Sequence, residues 1–205
     1  MLERTARELN GISCLVWEDA PAPKKQIMCS RSFGRPIQAL PDLEVAVAQY
    51  ATRATEKLRK GQQYAGELMV FICTNSFRPG VPQYSRSASV RLVNSTQDSR
   101  LIVQKTLVQL RSIYRAGYDY AKAGVMLSEL VEEAGLQDDL FESATNGHSD
   151  SGKSERLMAV IDEINLKSRA TLFMARAAGP AAHAMRRGHL SPAYTTDWSA
   201  LPGVS

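Results

Sequence analysis

The apolar periodicity of residues 26–130 constrains the fold more than any other feature of this sequence. It alternates between the two-residue period of strands and the three- to four-residue period of helices. The strand-like segments are IMCSRSF (27–33), ELMVFICTN (67–75), ASVRLVN (88–94) and KAGVMLSEL (122–130). The helical segments are DLEVAVAQYATRATEKLRK (42–60) and the stretch between Thr96 and Gly117. The order β-α-β-β-α-β predicts an α+β domain in which one four-stranded sheet carries two helices on one face and leaves the other face open.

Local signals predict where these elements end and how they are buried. Ser95 or Thr96 is the expected N-cap of the second helix, and Gly117 is its expected end. The run 67–75, which includes Phe71, shows no polar alternation. We therefore expect this strand to be buried on both faces of the sheet.

The whole sequence divides into five parts with different character. These are the end of a helix (1–11), a Pro-containing linker (12–24), the α+β domain (25–130), an acidic flexible tether (131–155) and a small, mainly helical C-terminal domain (156–205). The α+β domain carries 15 Lys/Arg against 7 Asp/Glu, whereas the tether carries one Lys and 7 acids. A basic domain beside an acidic tether indicates polyanion binding. The C-terminal domain is expected to open with an amphipathic helix that buries Leu157, Val160, Ile161 and Ile164.

The residue patterns of common enzyme active sites are missing from this sequence. It has no phosphate-binding glycine loop, nucleophile elbow or HExxH motif, and its three histidines and three cysteines lack metal-ligand spacing. We therefore expect no catalytic residue, no metal and no cofactor. No apolar run approaches the roughly 20 residues of a membrane-spanning helix, and the N-terminus lacks the apolar core of a secretion signal. A cytoplasmic location without membrane contact is the expectation.

Two Ser/Arg-rich strands provide the candidate binding residues. These are Ser30, Arg31, Ser32 and Arg35 in the first strand, and Arg86, Ser87, Ser89 and Arg91 in the third. Hydroxyls, guanidiniums and backbone N–H groups contact phosphate oxygens, and such contacts position a duplex without reading its sequence. A merely solvated polar strand face is the alternative. An RNA-recognition fold has the same element order, but it stacks bases on aromatic residues, and Phe71 is expected to be buried.

The pentapeptide QDDLF (137–141) stands out in the acidic tether. Exposed Leu140 and Phe141 lower solubility unless they dock in a pocket, and Gln137 adds a polar anchor. One polar and two apolar anchors on an extended segment are typical of a docking peptide. Packing of the segment against its own domain is the alternative.

Several segments together resemble a known family over nearly the whole chain. They are CSRSFGRP, QYATRATEKLR, NSFRPG, YSRSASVRL, TQDSR, YRAGYDYAKAGVMLSEL and LSPAYTTDWSALP. This combination resembles the catalytic subunit of bacterial DNA polymerase V, the UmuC/MucB/ImpB type of Y-family polymerase. The resemblance implies the last thumb helix at 1–11, then the linker, the DNA-holding little finger at 25–130 and the extra C-terminal domain of this type at about 155–203.

The same resemblance implies the partners and the role of the fragment. QDDLF resembles the sliding-clamp docking motif with Gln137, Leu140 and Phe141 as anchors, although Asp138 stands where the commoner form has leucine. The family's metal-binding carboxylates precede this region, so the fragment itself is expected not to be an enzyme. Its parent would perform error-prone translesion synthesis in the SOS response at the nucleoid, with primer-template DNA, the sliding clamp and an accessory dimer as partners. A truncated regulatory fragment that competes for the clamp or the accessory subunits is the alternative.

Overall fold

A computed structural model describes residues 2–14, 23–132, 149–167, 172–178 and 184. The elements, in chain order, are α1 (Leu2–Leu9), β1 (Ile27–Ile37), α2 (Leu40–Lys60), β2 (Gln63–Thr74), β3 (Ser85–Thr96), α3 (Ser99–Ile113), β4 (Tyr120–Glu132) and α4 (Ser149–Lys167). A short 3-10 turn follows at Ala175–Ala177. From β1 to β4 this is the predicted β-α-β-β-α-β order.

The four strands form one antiparallel sheet in the order β1-β4-β2-β3. The edge strands are β1 and β3, and the central strands are β4 and β2. Helix α2 connects β1 to β2 across β4, and α3 connects β3 to β4 across β2. The two helices pack against each other and against the sheet. The predicted α+β architecture, with one sheet and two helices on one face, is therefore confirmed.

The core lies between the sheet and these two helices. One alternate set of strand residues faces the helices and is fully buried, as the strand period requires. On the central strands this set includes Leu68, Val70, Ile72, Val125 and Leu127. The helices contribute residues at steps of three and four, among them Leu43, Val47, Ala51, Ala54 and Leu58 of α2 and Ile102, Val103, Leu107 and Leu110 of α3. The small alanines of α2 allow this helix to approach the sheet closely.

The N-cap of α3 differs from the sequence expectation. Asp98 takes this role, because its carboxylate accepts a hydrogen bond from the backbone N–H of Arg100 at 2.7 Å. Thr96 still belongs to β3, where it pairs with Ala65. The prediction of Ser95 or Thr96 as the cap is wrong because the strand continues further than its apolar pattern.

Other element ends also differ from the predicted positions, with α3 shorter and β4 longer than expected. Helix α3 ends at Ile113 rather than at Gly117, because Tyr114 already has an extended backbone. Strand β4 begins at Tyr120 and has 13 residues, and so is longer than the predicted 122–130. Pairing with neighbouring strands extends a strand through polar residues that an apolar pattern leaves out.

Helix α4 packs on the helical layer through polar contacts. Asp162 accepts two hydrogen bonds from the Arg59 guanidinium, at 2.6 Å and 2.7 Å. Glu155 accepts a hydrogen bond from the Tyr64 hydroxyl at 3.0 Å, and the Ser154 hydroxyl contacts the cap of α3. These contacts connect α4 to the C-terminal end of α2, the start of β2 and the start of α3.

The burial of α4 is different from the prediction. The helix begins at Ser149 rather than at residue 156. Met158 is its buried side chain, whereas Leu157, Val160 and Ile164 of the predicted buried stripe are exposed. The polar contacts above fix the rotation of the helix and turn Met158 inward. Because β4 runs to Glu132, the segment between β4 and α4 is shorter than the predicted tether, and it lies outside the described residues.

Residues 172–178 cover another part of the helical layer. The backbone of Leu172 is held to Asn165 of α4 by two hydrogen bonds, at 2.8 Å and 2.9 Å. Ala177 joins the core, and its carbonyl accepts a hydrogen bond from Gln49 of α2 at 2.9 Å. In the part of the chain that the structure describes, the C-terminal elements therefore cover the helices and not the opposite face of the sheet.

Candidate nucleic-acid interface

The face of the sheet opposite the helices, here called the open face, is defined by the strand register. Residues paired across antiparallel strands point to the same side of the sheet. The residues that alternate with the buried set along each strand therefore form rows on the open face. Each row is given in the strand order β1, β4, β2 and β3. The first row is Met28, Met126, Met69 and Ser89, and the second is Ser30, Gly124, Phe71 and Ser87. The third row is Ser32, Lys122, Cys73 and Ser85. A partial row of Ser128, Glu67 and Arg91 lies beyond the methionines.

Phe71 lies at the centre of the open face. A Cβ atom on Gly124 would lie 2.5 Å from two ring atoms of Phe71 and 2.5 Å from the Cβ of Ser30. The glycine is therefore what allows the ring to lie flat across β4. The Lys122 ammonium lies 5.8 Å from the centre of the same ring, within the range of a cation–π contact. The expectation that Phe71 is buried on both faces is wrong, because only one face of β2 is covered.

The charges on the open face nearly balance. The positive groups are Lys122 and Arg91, and Arg91 forms a salt bridge with Glu129. Glu67 is the other acid, and it accepts a hydrogen bond from the Ser128 hydroxyl at 2.9 Å. The excess positive charge of the domain therefore does not lie on the open face.

The arginines of the two Ser/Arg strands lie at the edges of the sheet. Arg31 pairs with Ala123 and Arg86 pairs with Ile72, so both side chains start on the helix side. Both are exposed, because β1 and β3 are edge strands. Burial raises the pKa of Tyr50 in α2, and the nearby charge of Arg31 partly offsets this increase.

The eight predicted residues thus lie in three kinds of position. Four serines and one arginine lie on the open face, namely Ser30, Ser32, Ser87, Ser89 and Arg91. Arg31 and Arg86 flank that face from opposite edges. Arg35 is exposed in the part of β1 where pairing with β4 is irregular, between Ser32 and Ile37. The predicted clamp anchors Gln137, Leu140 and Phe141 lie outside the described residues.

The spacing of the edge strands suits a grooved polyanion. Three interstrand spacings separate β1 from β3, which corresponds to about 14 Å. The major groove of B-DNA is about 12 Å wide. Each edge strand also pairs on one side only, so its outer backbone N–H and C=O groups have no partner strand among the described residues.

Sequence reasoning missed Phe71, Lys122 and Gly124 as parts of this surface. Lys122 directly precedes the apolar part of β4, and Gly124 interrupts it. A glycine within a strand often marks a close approach by a neighbouring group, and this signal was available in the sequence.

The described part of the chain shows no features of a metal site or of a membrane helix. Within it, no group of three or more His, Cys, Asp or Glu side chains is arranged to hold a metal ion. None of the helices described there combines the length and the apolar character needed to cross a bilayer.

Comparison with known families gives the relationship of the chain. The sequence matches the impB/mucB/samB family C-terminal domain over residues 24–140. The chain belongs to this family. A second match, to a Domain of unknown function (DUF4113), covers residues 155–204. The predicted resemblance to the UmuC/MucB/ImpB type is thereby confirmed.

Curated relatives match nearly the whole chain. Protein MucB of Salmonella typhimurium is 46% identical over 203 residues, which are 98% of this chain and 47% of that protein. Protein ImpB of the same organism is 41% identical over 202 residues, which are 98% of this chain and 47% of that protein. Protein UmuC of Salmonella typhimurium strain LT2 is 40% identical over 202 residues, again 98% and 47%. The chain therefore spans about half the length of the curated relatives it matches.

Two solved structures are distantly similar to the chain. DinB from Sulfolobus solfataricus has a TM-score of 0.42 and 9% identity, covering 52% of this chain and 29% of that chain. The little finger domain of PolIV, solved in complex with the beta-clamp processivity factor, has a TM-score of 0.39 and 13% identity, covering 57% of this chain and 98% of that one.

Proposed function

We propose that the chain is the DNA-gripping and clamp-docking C-terminal region of an error-prone Y-family translesion polymerase, and that it has no catalytic centre of its own. The observation that carries the proposal is the pair of Ser/Arg edge strands on either side of an open sheet face. Membership of the impB/mucB/samB family supports the assignment. The parent would act at the nucleoid during the SOS response, together with an accessory dimer.

In this proposal the open face lies over the major groove of the primer-template duplex, and the edge strands follow its two backbones. Arg31 and Arg35 at one edge and Arg86 at the other provide charge-assisted contacts to phosphates. The hydroxyls of Ser30, Ser32, Ser87 and Ser89 and the free edge of each strand add neutral hydrogen bonds. The little finger assignment of residues 25–130 rests on this arrangement and on the family.

Duplex DNA is favoured over RNA recognition by the composition of the open face. RNA-recognition sheets stack two or three bases on aromatic side chains. Among the described strands, Phe71 is the only aromatic residue in the rows of the open face. Serines and methionines surround it, and they suit backbone contacts and apolar packing better than base stacking.

Clamp docking is assigned to Gln137, Leu140 and Phe141. Its support is the QDDLF sequence itself, an apolar pair in an acidic segment that follows β4. Leu140→Ala combined with Phe141→Ala should abolish binding to the processivity clamp and leave DNA binding intact. Surface-immobilised clamp measures this directly, and an unchanged clamp affinity would remove this part of the proposal.

The salt dependence of DNA binding tests the proposed phosphate contacts. If Arg31, Arg35 and Arg86 each neutralise one phosphate, the affinity for a labelled primer-template duplex should fall by about 40-fold between 50 and 200 mM salt. Arg86→Ala should weaken DNA binding at low salt. Lys105→Ala removes the same charge from an exposed position on α3 and should not weaken binding. Equal effects of the two variants, or no binding at low salt, would contradict the proposal.

An incorporation assay separates this function from that of a complete enzyme. The chain should not extend a primer with nucleotides. Robust incorporation would show that residues taken for a binding surface form a catalytic site. The regulatory alternative, competition with an intact polymerase for the clamp or accessory subunits, shares the same contacts and predicts inhibition when the chain is added to that polymerase.

A further inference from the structure

The loop between β2 and β3, residues 75–84, is held in one conformation by its own polar groups. The Gln83 amide nitrogen lies 3.1–3.3 Å from the carbonyl oxygens of Asn75, Arg78 and Val81. The Gln83 amide oxygen accepts a hydrogen bond from Thr74 at 2.7 Å. The hairpin is thus closed from within, without a hydrophobic cluster of its own.

Phe77 lies in this loop and is 93% exposed. Its backbone N–H donates to the Asn75 side chain at 3.0 Å, and the next N–H, of Arg78, donates to the Asn75 carbonyl at 3.2 Å. The Arg78 guanidinium lies 3.7 Å from the Asp119 carboxylate. The backbone on both sides of Phe77 is fixed, yet the ring packs on almost nothing. Local folding therefore gives no reason for a large apolar side chain at this position.

We propose that Phe77 stacks on an unpaired base in the single-stranded extension of bound DNA. The loop follows the end of β2, next to the row of Ser32, Lys122, Cys73 and Ser85, and so continues the end of the open face. This inference rests on the proposed function, because it assumes that DNA occupies that face. It adds a contact that distinguishes single-stranded from double-stranded DNA.

The chemistry of the loop favours an unpaired base over other ligands. Bases within a duplex are stacked on both sides, whereas an unpaired base offers a free π-face to an aromatic ring. Such stacking tolerates any sequence, because every base has a π-face. A protein partner would need a wider apolar patch, but the residues beside Phe77 are Ser76, Arg78, Pro79 and Gly80.

Binding of two DNA molecules tests the inference. Fluorescence anisotropy would compare a blunt duplex with the same duplex carrying a short single-stranded extension. Phe77→Ala should lose about tenfold in affinity for the extended DNA, the scale of one stacked base, and should bind the blunt duplex like the unchanged protein. Phe77→Trp should retain the affinity, whereas Phe77→Leu should behave like Phe77→Ala. With 2-aminopurine in the extension, the unchanged protein should alter the fluorescence of this base and Phe77→Ala should not.

The outcomes separate this inference from the proposed function. Equal affinity of Phe77→Ala and the unchanged protein for extended DNA would overturn the stacking contact while leaving the grip in place. Equal loss on blunt and extended DNA, or full affinity of Phe77→Leu, would also overturn it. Failure of the unchanged protein to bind either DNA at low salt would count against the proposed function itself.

Discussion

The least exposed ion pair that attaches α4 joins Arg59 of α2 to Asp162. The Arg59 side chain is 9% exposed and the Asp162 side chain is 34% exposed. Arg59 also donates to the carbonyl of Gln97 at 3.0 Å and to the hydroxyl of Ser99 at 2.8 Å. Asp162 is the carboxylate among these three partners, so Asp162→Ala leaves a nearly buried positive charge without it. We expect this substitution to loosen α4 while the sheet and its two helices remain folded.

The free-energy cost of Asp162→Ala follows from how deeply Arg59 and Asp162 are buried. Breaking a buried ion pair by removing one partner costs about 3–5 kcal/mol. Asp162 is partly exposed, and Arg59 keeps two neutral acceptors, so we expect about 2 kcal/mol, less than the full penalty. This energy corresponds to about a thirtyfold rise in the population in which α4 is detached.

Native-state hydrogen exchange of the α4 amides measures this population. In Asp162→Ala these amides should exchange about thirtyfold faster, whereas those of β2 and β4 should change little. Glu163→Ala is the matched control on the same helix, because Glu163 forms an exposed pair with Lys167. Exposed pairs of this type contribute about 0.3–0.5 kcal/mol, so the control should change exchange by about twofold. Equal exchange in the two variants would refute the reasoning.

Two further predictions concern the α+β domain. Gly124→Ala should lower the free energy of unfolding by about 1–3 kcal/mol, the usual cost of overpacking, because its Cβ would overlap the Phe71 ring; an unchanged urea midpoint would contradict this. Burial works to raise the pKa of Asp98, but hydrogen bonds from Arg100 and Ser154 outweigh it and lower the pKa. The stability that Asp98 provides is therefore complete above its unfolded pKa and lost as the pH falls through its lower folded pKa, below about pH 4. Asp98→Asn should flatten the acid side of a plot of urea midpoint against pH, and an identical slope would exclude this role.

The element order was predictable because local periodicity reports it directly. The apolar steps of α2 and the alternation in β3 are short-range patterns that tertiary contacts did not override. The burial of β2 was not predictable in the same way. Met69, Phe71 and Cys73 are as apolar as the core residues between them, so composition alone does not show which face is covered. The cap of α3 was missed for a related reason, since only pairing with Ala65 retains Thr96 in β3.

The candidate surface was partly available from the sequence as well. Ser30, Arg31 and Ser32 are consecutive, so in any strand the arginine must point away from the face that carries the two serines. The same rule separates Arg86 from Ser87. Which of the two sets faces the helices is decided by Cys29 and Ile27, which continue the Arg31 side of β1 into the core. The sequence could therefore separate Arg31 and Arg86 from the neighbouring serines, but not show which set faces the helices.

In the proposed function, this separation determines how the domain would contact DNA. On the open face Lys122 and Arg91 are balanced by Glu67 and Glu129, so a groove floor would meet hydroxyls and thioethers rather than net charge. The electrostatic attraction to DNA would then come from Arg31, Arg35 and Arg86, which lie on the edge strands where they would contact phosphates. Phosphates are the same at every step of a duplex, whereas base edges are not. If the domain binds DNA as proposed, a surface arranged in this way should lose affinity steeply with salt and very little with base sequence.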